Sequence, residues 1–327
     1  MCEIKLSEKH KFDNENIRGR KIGYIYAGQG SQVPHMGLDF YNSSISAKKF
    51  YDSVDKSLDL KRLSFEADED ELVKTENTQV VLIGFQVMLT KLFNENNIVP
   101  NAVCGLSIGE YGALYCSGVL NEEDVLKISK FRGTEMSKCS EGINTEMYAI
   151  INSSEQYINA VLEIYNSTEK FVQISNINSK EQIVISGDKD VLEKVKLHLK
   201  KDGVRYIKLK VSGAFHTAYM YRAAESLEEY FKTIEFSEPK IPVYYNVTGS
   251  KEDEGNIKNL MVKQVKSTVR FEDDIKNMIE DGIDLFIEIG FNNVIKKIVR
   301  KINSNVQVIS VSSYEDFKDL VEKFYEK

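Results

Sequence analysis

Short apolar runs that end at glycine-rich turns alternate with longer stretches of helical period along most of the chain. Residues 22–27 are apolar or aromatic almost throughout and stop at Gly28-Gln29-Gly30, the pattern of a buried strand running into a loop. Residues 39–63 follow a mostly helical period, 65–72 turn acidic and predict a loop with a short helix, and 78–93 predict a buried helix. A second short strand is predicted over 102–106. It turns abruptly at Ser107 into a helix expected to run through Tyr115. A further helix runs from Glu122, behind Leu120-Asn121, towards Met136, with Phe131 and Arg132 in its later turns, and Gly142 ends the pattern.

Between Met147 and Leu209 the order changes to strand (148–151), helix (154–165), strand (172–176), strand (182–186), helix (189–200) and strand (204–209). That order predicts a split βαβ unit with a ferredoxin-like sheet. The chain then resumes a helix, a strand at 243–246, another helix, a strand at 285–288, a helix at Asn293 and a strand at 306–311. These later elements match the α/β pattern seen before residue 140, so the small unit reads as an insertion. The expected division is a polar arm at 1–20, a discontinuous α/β body at 21–145 and 211–327, and a small α+β subdomain at 146–210. No function is assigned to the arm.

Composition narrows the classes of function. A chain of 327 residues with 42% hydrophobic and 28% charged residues can bury a large core, as ordered globular proteins do. Its 50 acidic and 43 basic residues are interspersed and leave a net charge of -7, so no basic stripe is available for nucleic-acid phosphates. An acidic protein partner would still need a local basic patch, which Lys296, Lys297 and Arg300 could supply. Cys2, Cys104, Cys116 and Cys139 lack the paired spacing of a zinc site or a disulfide framework, which favours a reducing compartment. The first twenty residues contain no apolar segment of the secretory type, and nothing later approaches the ~18 apolar residues of a membrane span. A cytoplasmic protein without membrane contact is expected.

The sharpest chemical signal is Gly105-Leu106-Ser107-Ile108-Gly109. It matches the G-x-S-x-G elbow, in which glycines flank a serine because the strand-to-helix turn leaves no room for side chains. Strand before and helix after are what that mechanism requires, and the helix N-terminus favours developing negative charge. The backbone N–H of Ile108 is one natural oxyanion donor and that of Gln29 the second, since both follow predicted strands. Gly28-Gln29-Gly30-Ser31-Gln32 taken alone is equally compatible with a surface turn.

A serine nucleophile needs a base, and the chain offers His10, His35, His198 and His216. His10 lies in the polar arm, His198 on a lysine-rich helix, and His35 follows Pro34 near the first loop. His216 follows Val211-Ser212-Gly213-Ala214-Phe215, a small-residue loop where the inserted unit returns to the body, and is the candidate base. Its orienting group stays open: carboxylates are numerous, and a backbone carbonyl could serve. The Gly28 to Gly30 loop lacks the order of an ATP cradle and the full dinucleotide fingerprint, so neither ATP nor NAD is read into it.

With these residues in place, the chain resembles the malonyl-CoA:acyl carrier protein transacylases and the related acyltransferase domains of polyketide synthases. The resemblance covers roughly residues 21–311 and rests on ordered motifs: Gly28 to Gln32, Gly105 to Glu110, Phe131-Arg132-Gly133 with Met136, Gly213-Ala214-Phe215-His216 with Met220, Asn246-Val247-Thr248, Gln264, and Glu288-Ile289-Gly290. It implies a hydrolase-like parallel-sheet body with an inserted ferredoxin-like subdomain and an active site in the cleft between them. It further implies Ser107 as nucleophile, His216 as base, the Gln29 and Ile108 amides as oxyanion donors, and Arg132 as holder of the malonyl carboxylate. Gln264 would support the histidine region, and Phe215 resembles the malonyl-selective form of its motif.

The implied substrates are malonyl-CoA and a holo acyl carrier protein that brings its own phosphopantetheine, with no metal and no bound cofactor. Two positions depart from the family pattern: Leu106 stands where many members have histidine, and Phe291 where they often have proline. Fatty-acid and polyketide assembly both stay open, as do serine thioesterase or acyl hydrolase chemistry and a non-catalytic carrier-binding role.

Overall fold

The computed structural model describes residues 17, 19–211, 213–251 and 256–325. Strand β1 (Ile22–Tyr26) leads through α1 (Leu38–Ser43), α2 (Ile45–Ser53), α3 (Leu60–Phe65) and α4 (Glu69–Leu72) to the long α5 (Thr75–Glu95). Then come β2 (Ala102–Gly105), α6 (Gly109–Cys116), α7 (Glu122–Ser140), β3 (Thr145–Ile151), α8 (Glu155–Tyr165), β4 (Val172–Ser179), β5 (Gln182–Asp188), α9 (Lys189–Lys201) and β6 (Arg205–Lys208). The remainder is α10 (Tyr221–Phe231), α11 (Ile257–Gln264), α12 (Phe271–Glu280), β7 (Leu285–Ile289), α13 (Val294–Ile302), β8 (Gln307–Val311) and α14 (Tyr314–Tyr325).

The strands form two sheets. One is parallel throughout, in the order β2-β1-β7-β8, with Gly23 beside Ala102 and Ile22 beside Leu285. Successive side chains of a strand point to opposite faces, and both faces of this sheet are covered. Tyr24, Tyr26, Ile287 and Ile289 join the core beneath α5, α6 and α14, while Ile25, Ala27 and Phe286 join a second core with Phe271, Ile275 and Met278 of α12 and Ile298 of α13. The i, i+4, i+7 spacing on α12 is the apolar stripe of a helix laid on a sheet. Gln86 on α5 donates to the Ala27 carbonyl at 2.7 Å, tying the end of β1 to the helix beneath it.

The second sheet is antiparallel in the order β4-β5-β3-β6. One face packs Tyr148, Ile150 and Ile185 against Ile158 and Leu162 of α8 and Leu192 and Val195 of α9. On the other, Met147, Ala149 and Val184 join the core of the larger body. The end of β4 is fastened to the body by a parallel bridge, with Ile177 N donating to Val269 O at 2.8 Å and Val269 N to Ser175 O at 2.9 Å.

Two expectations need correction, and one helix lies beyond them. The strand read at 243–246 is only an isolated bridge between Val243 and Val103, because Pro242 offers no N–H to extend a ladder and Tyr245 turns back to pair with Ser250. The helical stretch 39–63 is broken at Ser44, Val54 and Asp59, with Asp59 in the left-handed region. Helix α14, which no sequence reading anticipated, closes the sheet with Phe317 and Leu320. Of the arm at 1–20, residues 1–16 and 18 lie outside the described residues, and with them Cys2 and His10.

Candidate active site

The elbow predicted at Ser107 forms between β2 and α6. Ser107 has φ +57, a left-handed conformation that costs a non-glycine residue about 1 kcal/mol or more, so neighbouring contacts must hold it. Its backbone N–H donates to Asn246 Oδ1 at 2.8 Å, and its carbonyl accepts from Gln264 Nε2 at 2.8 Å and from Glu110 N at 3.1 Å. The flanking glycines are required by space. A Cβ on Gly105 would sit 2.0 Å from the Gly109 carbonyl carbon, and one on Gly109 would sit 2.2 Å from Tyr26 O. Gly105→Ala is therefore expected to lower stability by about 1–3 kcal/mol through overpacking, read as a lower denaturation midpoint at unchanged slope.

The imidazole reaches Ser107 from the far side. His216 Nε2 lies 2.6 Å from Ser107 Oγ, and Nδ1 lies 2.8 Å from the Gln264 carbonyl oxygen. A carbonyl can only accept, so Nδ1 holds the ring proton and Nε2 turns its lone pair toward the serine hydroxyl. His216 has φ +58 and is 4% exposed. Burial, and then the nearby charge of Arg132, push its pKa down to about 3, opposed by the Gln264 carbonyl. The ring is thus neutral, as a general base must be.

Arg132 is fully buried on α7. That helix can approach the start of α5 because Gly133 has no side chain: a Cβ there would lie 2.7 Å from Glu76 Cα. The guanidinium donates through Nη1 to Gln79 Oε1 at 2.9 Å and through Nη2 to Gln264 Oε1 at 2.8 Å and Ser107 Oγ at 3.3 Å. Its Nε has no acceptor, no carboxylate of the described residues lies within ion-pair distance of it, and the charge of the buried Glu110 acts on it only at longer range. A buried cation without a paired anion is costly unless something else supplies the charge.

Residues 23–315 match the family described as acyl transferase domain. The chain belongs to that acyl transferase family. A malonyl CoA-acyl carrier protein transacylase of Bacillus subtilis (strain 168) is 33% identical over 311 residues, 94% of this chain and 98% of that one. The solved malonyl CoA-acyl carrier protein transacylase of Clostridium perfringens is 36% identical with a TM-score of 0.87, covering 93% of this chain and 96% of that one. A type II polyketide synthase malonyl-transacylase, solved in complex with its holo acyl-carrier protein, is 27% identical with a TM-score of 0.87 over 92% and 99% of the two chains.

Within this acyltransferase, Ser107, His216, Arg132 and Gln264 converge on one point. The Gln29 loop is pressed against the elbow, since a Cβ on Gly28 would lie 2.4 Å from Leu106 O. The backbone N–H groups of Gln29 and Ile108 have no acceptor among the described residues, whereas the Gln29 side chain donates to Thr75 Oγ1 at 3.2 Å. Phe215 is buried in the main core beside His216 and anchors the loop. Of the departures, Leu106 packs against the second core and Phe291 stacks edge-on against Phe85 at 4.8 Å.

The remaining histidines stand elsewhere: His35 Nδ1 is 2.7 Å from Phe65 O, and His198 packs against Tyr165. Asn246, Glu110 and Gln79 were given no role by the sequence, although Asn246 and Glu110 fall inside quoted motifs. The signal for Glu110 was an acid in an otherwise apolar and small-residue helix, α6. A cavity of about 490 Å³ has His216 in its wall, together with Glu155, Asn159, Gln173, Lys266 and Thr268. A second, of about 540 Å³, has Gln29 in its wall with Leu209 and Lys210.

Proposed function

We infer that this chain transfers a malonyl group from malonyl-CoA to the phosphopantetheine thiol of an acyl carrier protein through a serine ester. The observation that supports it best is the Ser107–His216 pair at 2.6 Å facing a buried arginine with no carboxylate in direct contact among the described residues. In the first half-reaction Ser107 Oγ attacks the thioester carbonyl while its proton passes to His216 Nε2. The Gln29 and Ile108 amides receive the oxyanion. The carbon–sulfur bond breaks, and coenzyme A leaves as a thiol with the proton from His216. In the second half-reaction the carrier's thiol gives its proton to His216, attacks the ester, and Ser107 Oγ leaves reprotonated. Coenzyme A is part of the substrate and the phosphopantetheine belongs to the partner.

The strand order β4-β5-β3-β6, with both helices on one face, supports reading 146–210 as a ferredoxin-like subdomain inserted in a hydrolase-like body at 21–145 and 211–327. Lys297 and Arg300 are exposed on α13, while Lys296 is half-buried, so the first two are the better candidates for meeting an acidic carrier. A cytoplasmic location fits Cys104, Cys116 and Cys139, which are all free thiols, and no helix among the described residues is long and apolar enough to cross a membrane.

Arg132 supplies the test of substrate. Malonyl differs from acetyl by a terminal carboxylate, which a planar guanidinium receives through two parallel charged hydrogen bonds. A buried pair of that kind contributes about 2 to 4 kcal/mol, so Arg132→Ala is expected to cost malonyl-CoA roughly 30- to 1,000-fold more acylation efficiency than acetyl-CoA. Equal losses on the two thioesters, with folding checked by circular dichroism, would remove Arg132 from the carboxylate site. Adding holo carrier separates transfer from hydrolysis: malonyl-carrier must form faster than free malonate.

A further inference from the structure

The transfer reaction leaves buried acids beneath the site without a role, and Glu110 is the one that touches Gln264. Glu110 lies in the first turn of α6, fully buried, and its Oε2 accepts from Gln264 Nε2 at 2.9 Å and from Asn246 N at 3.2 Å. Each of these donors belongs to a residue that holds part of the machinery. Asn246 binds the Ser107 N–H, and Gln264 binds His216 through its carbonyl and Arg132 through its side-chain oxygen. We propose that Glu110 is a positioning residue, fixing the orientation of the Gln264 side-chain amide and so the aim of Arg132 at the acyl carboxylate. The proposal rests on the malonyl-transfer reading.

A glutamine amide turned by 180° fills the same space but exchanges its donor and acceptor. As it stands, Gln264 Nε2 faces two oxygens, Glu110 Oε2 and the Ser107 carbonyl, and Oε1 faces the Arg132 Nη2 donor. Reversed, Oε1 would face those oxygens and an NH2 would face a guanidinium. The Ser107 carbonyl and the Arg132 donor oppose the reversal, and a carboxylate, which accepts only, completes the lock, while a protonated carboxyl carries an O–H that can donate to the reversed amide and weakens it. Asn246 reaches the same Glu110 oxygen only through its backbone N–H, while the Asn246 side chain that holds the elbow is fixed separately by the Gly105 carbonyl and Asp274.

The charged and titratable groups around Glu110 are Arg132 from α7, Asp274 from α12, Cys104 from β2, and Tyr111 on its own helix. Burial pushes the Glu110 carboxyl up to about 7, against the hydrogen bonds from Gln264 and Asn246 and the charge of Arg132. Asp274 is raised well above the carboxylate range by burial and then by Glu110, and Cys104 and Tyr111 are raised mainly by burial. His216, at about 3, does not titrate near neutrality. As pH falls through about 7 the accepting carboxylate is lost, and malonyl efficiency should fall with it.

The experiment compares kcat/KM for malonyl-CoA and acetyl-CoA in wild type, Glu110→Gln and Glu110→Ala, from about pH 5.5 to about pH 8.5. At the alkaline end, Glu110→Ala is expected to lose about 10- to 100-fold on malonyl-CoA and much less on acetyl-CoA, because a misaimed clamp matters only to the carboxylate. Glu110→Gln brings an NH2 that can donate to the reversed amide at every pH, so it should hold malonyl efficiency near the low level of protonated wild type and show no fall near neutrality. Equal loss on both thioesters would make Glu110 merely structural and overturn the proposal. So would a wild-type limb that survives unchanged in Glu110→Gln, and that profile decides alone if Glu110→Ala does not fold. A wild-type protein that fails to take malonyl from coenzyme A overturns the functional reading instead.

Discussion

Ser107→Ala is expected to abolish covalent malonylation, with acyl-enzyme formation falling by at least about 1,000-fold, while the fold survives. The contacts that hold the elbow are made by the backbone of residue 107: its N–H to Asn246 and its carbonyl to Gln264 and Glu110 N. Alanine keeps all of them and removes only Oγ. His216 and Arg132 would then face an inert methyl group. Intact-protein mass spectrometry after incubation with malonyl-CoA, followed by peptide mapping, reads the result. Malonylation of wild type at any other residue, or of the alanine variant at the wild-type rate, would remove Ser107 from the nucleophile position.

The elbow was legible in the sequence because its constraint is local. Gly105 and Gly109 flank Ser107 within five positions, and a Cβ on either glycine would come within 2.0 and 2.2 Å of backbone atoms. What orients His216 was not legible. The group is the backbone carbonyl of Gln264, 48 positions away, and a carbonyl is common to every residue, so no side chain marks it. The role of Asn246 was hidden for a related reason. Its motif is visible, but whether an asparagine bonds a distant N–H depends on which loop the fold brings over it. The body followed the same division. Most strands bounded by glycine turns and most helices with a clear period were read where they occur, α14 excepted, whereas the 243–246 segment has strand-like residues and makes only two isolated bridges, to Val103 and Ser250, since pairing belongs to the neighbours.

His216→Ala is expected to slow both half-reactions by roughly 100- to 10,000-fold, the range typical of losing a positioned acid-base group. The same Nε2, 2.6 Å from Ser107 Oγ, must take the serine proton during acylation and the carrier's thiol proton during transfer, so a single substitution should appear in both steps. The free enzyme holds this base at about pKa 3, which favours the neutral ring but makes it a weak proton acceptor. One cause of that depression is the Arg132 charge, and a malonyl carboxylate seated on the guanidinium would offset it. Malonyl binding is thereby expected to raise the basicity of the imidazole facing Ser107, an effect that acetyl lacks. Single-turnover quenched-flow measurements separate the steps: one begins with malonyl-CoA and free enzyme, the other with preformed malonyl-enzyme and holo carrier. Near-normal rates in either would require another base for that step. A wild-type acylation rate constant at saturating substrate that is no greater for malonyl-CoA than for acetyl-CoA would sink the coupling between the carboxylate and the imidazole.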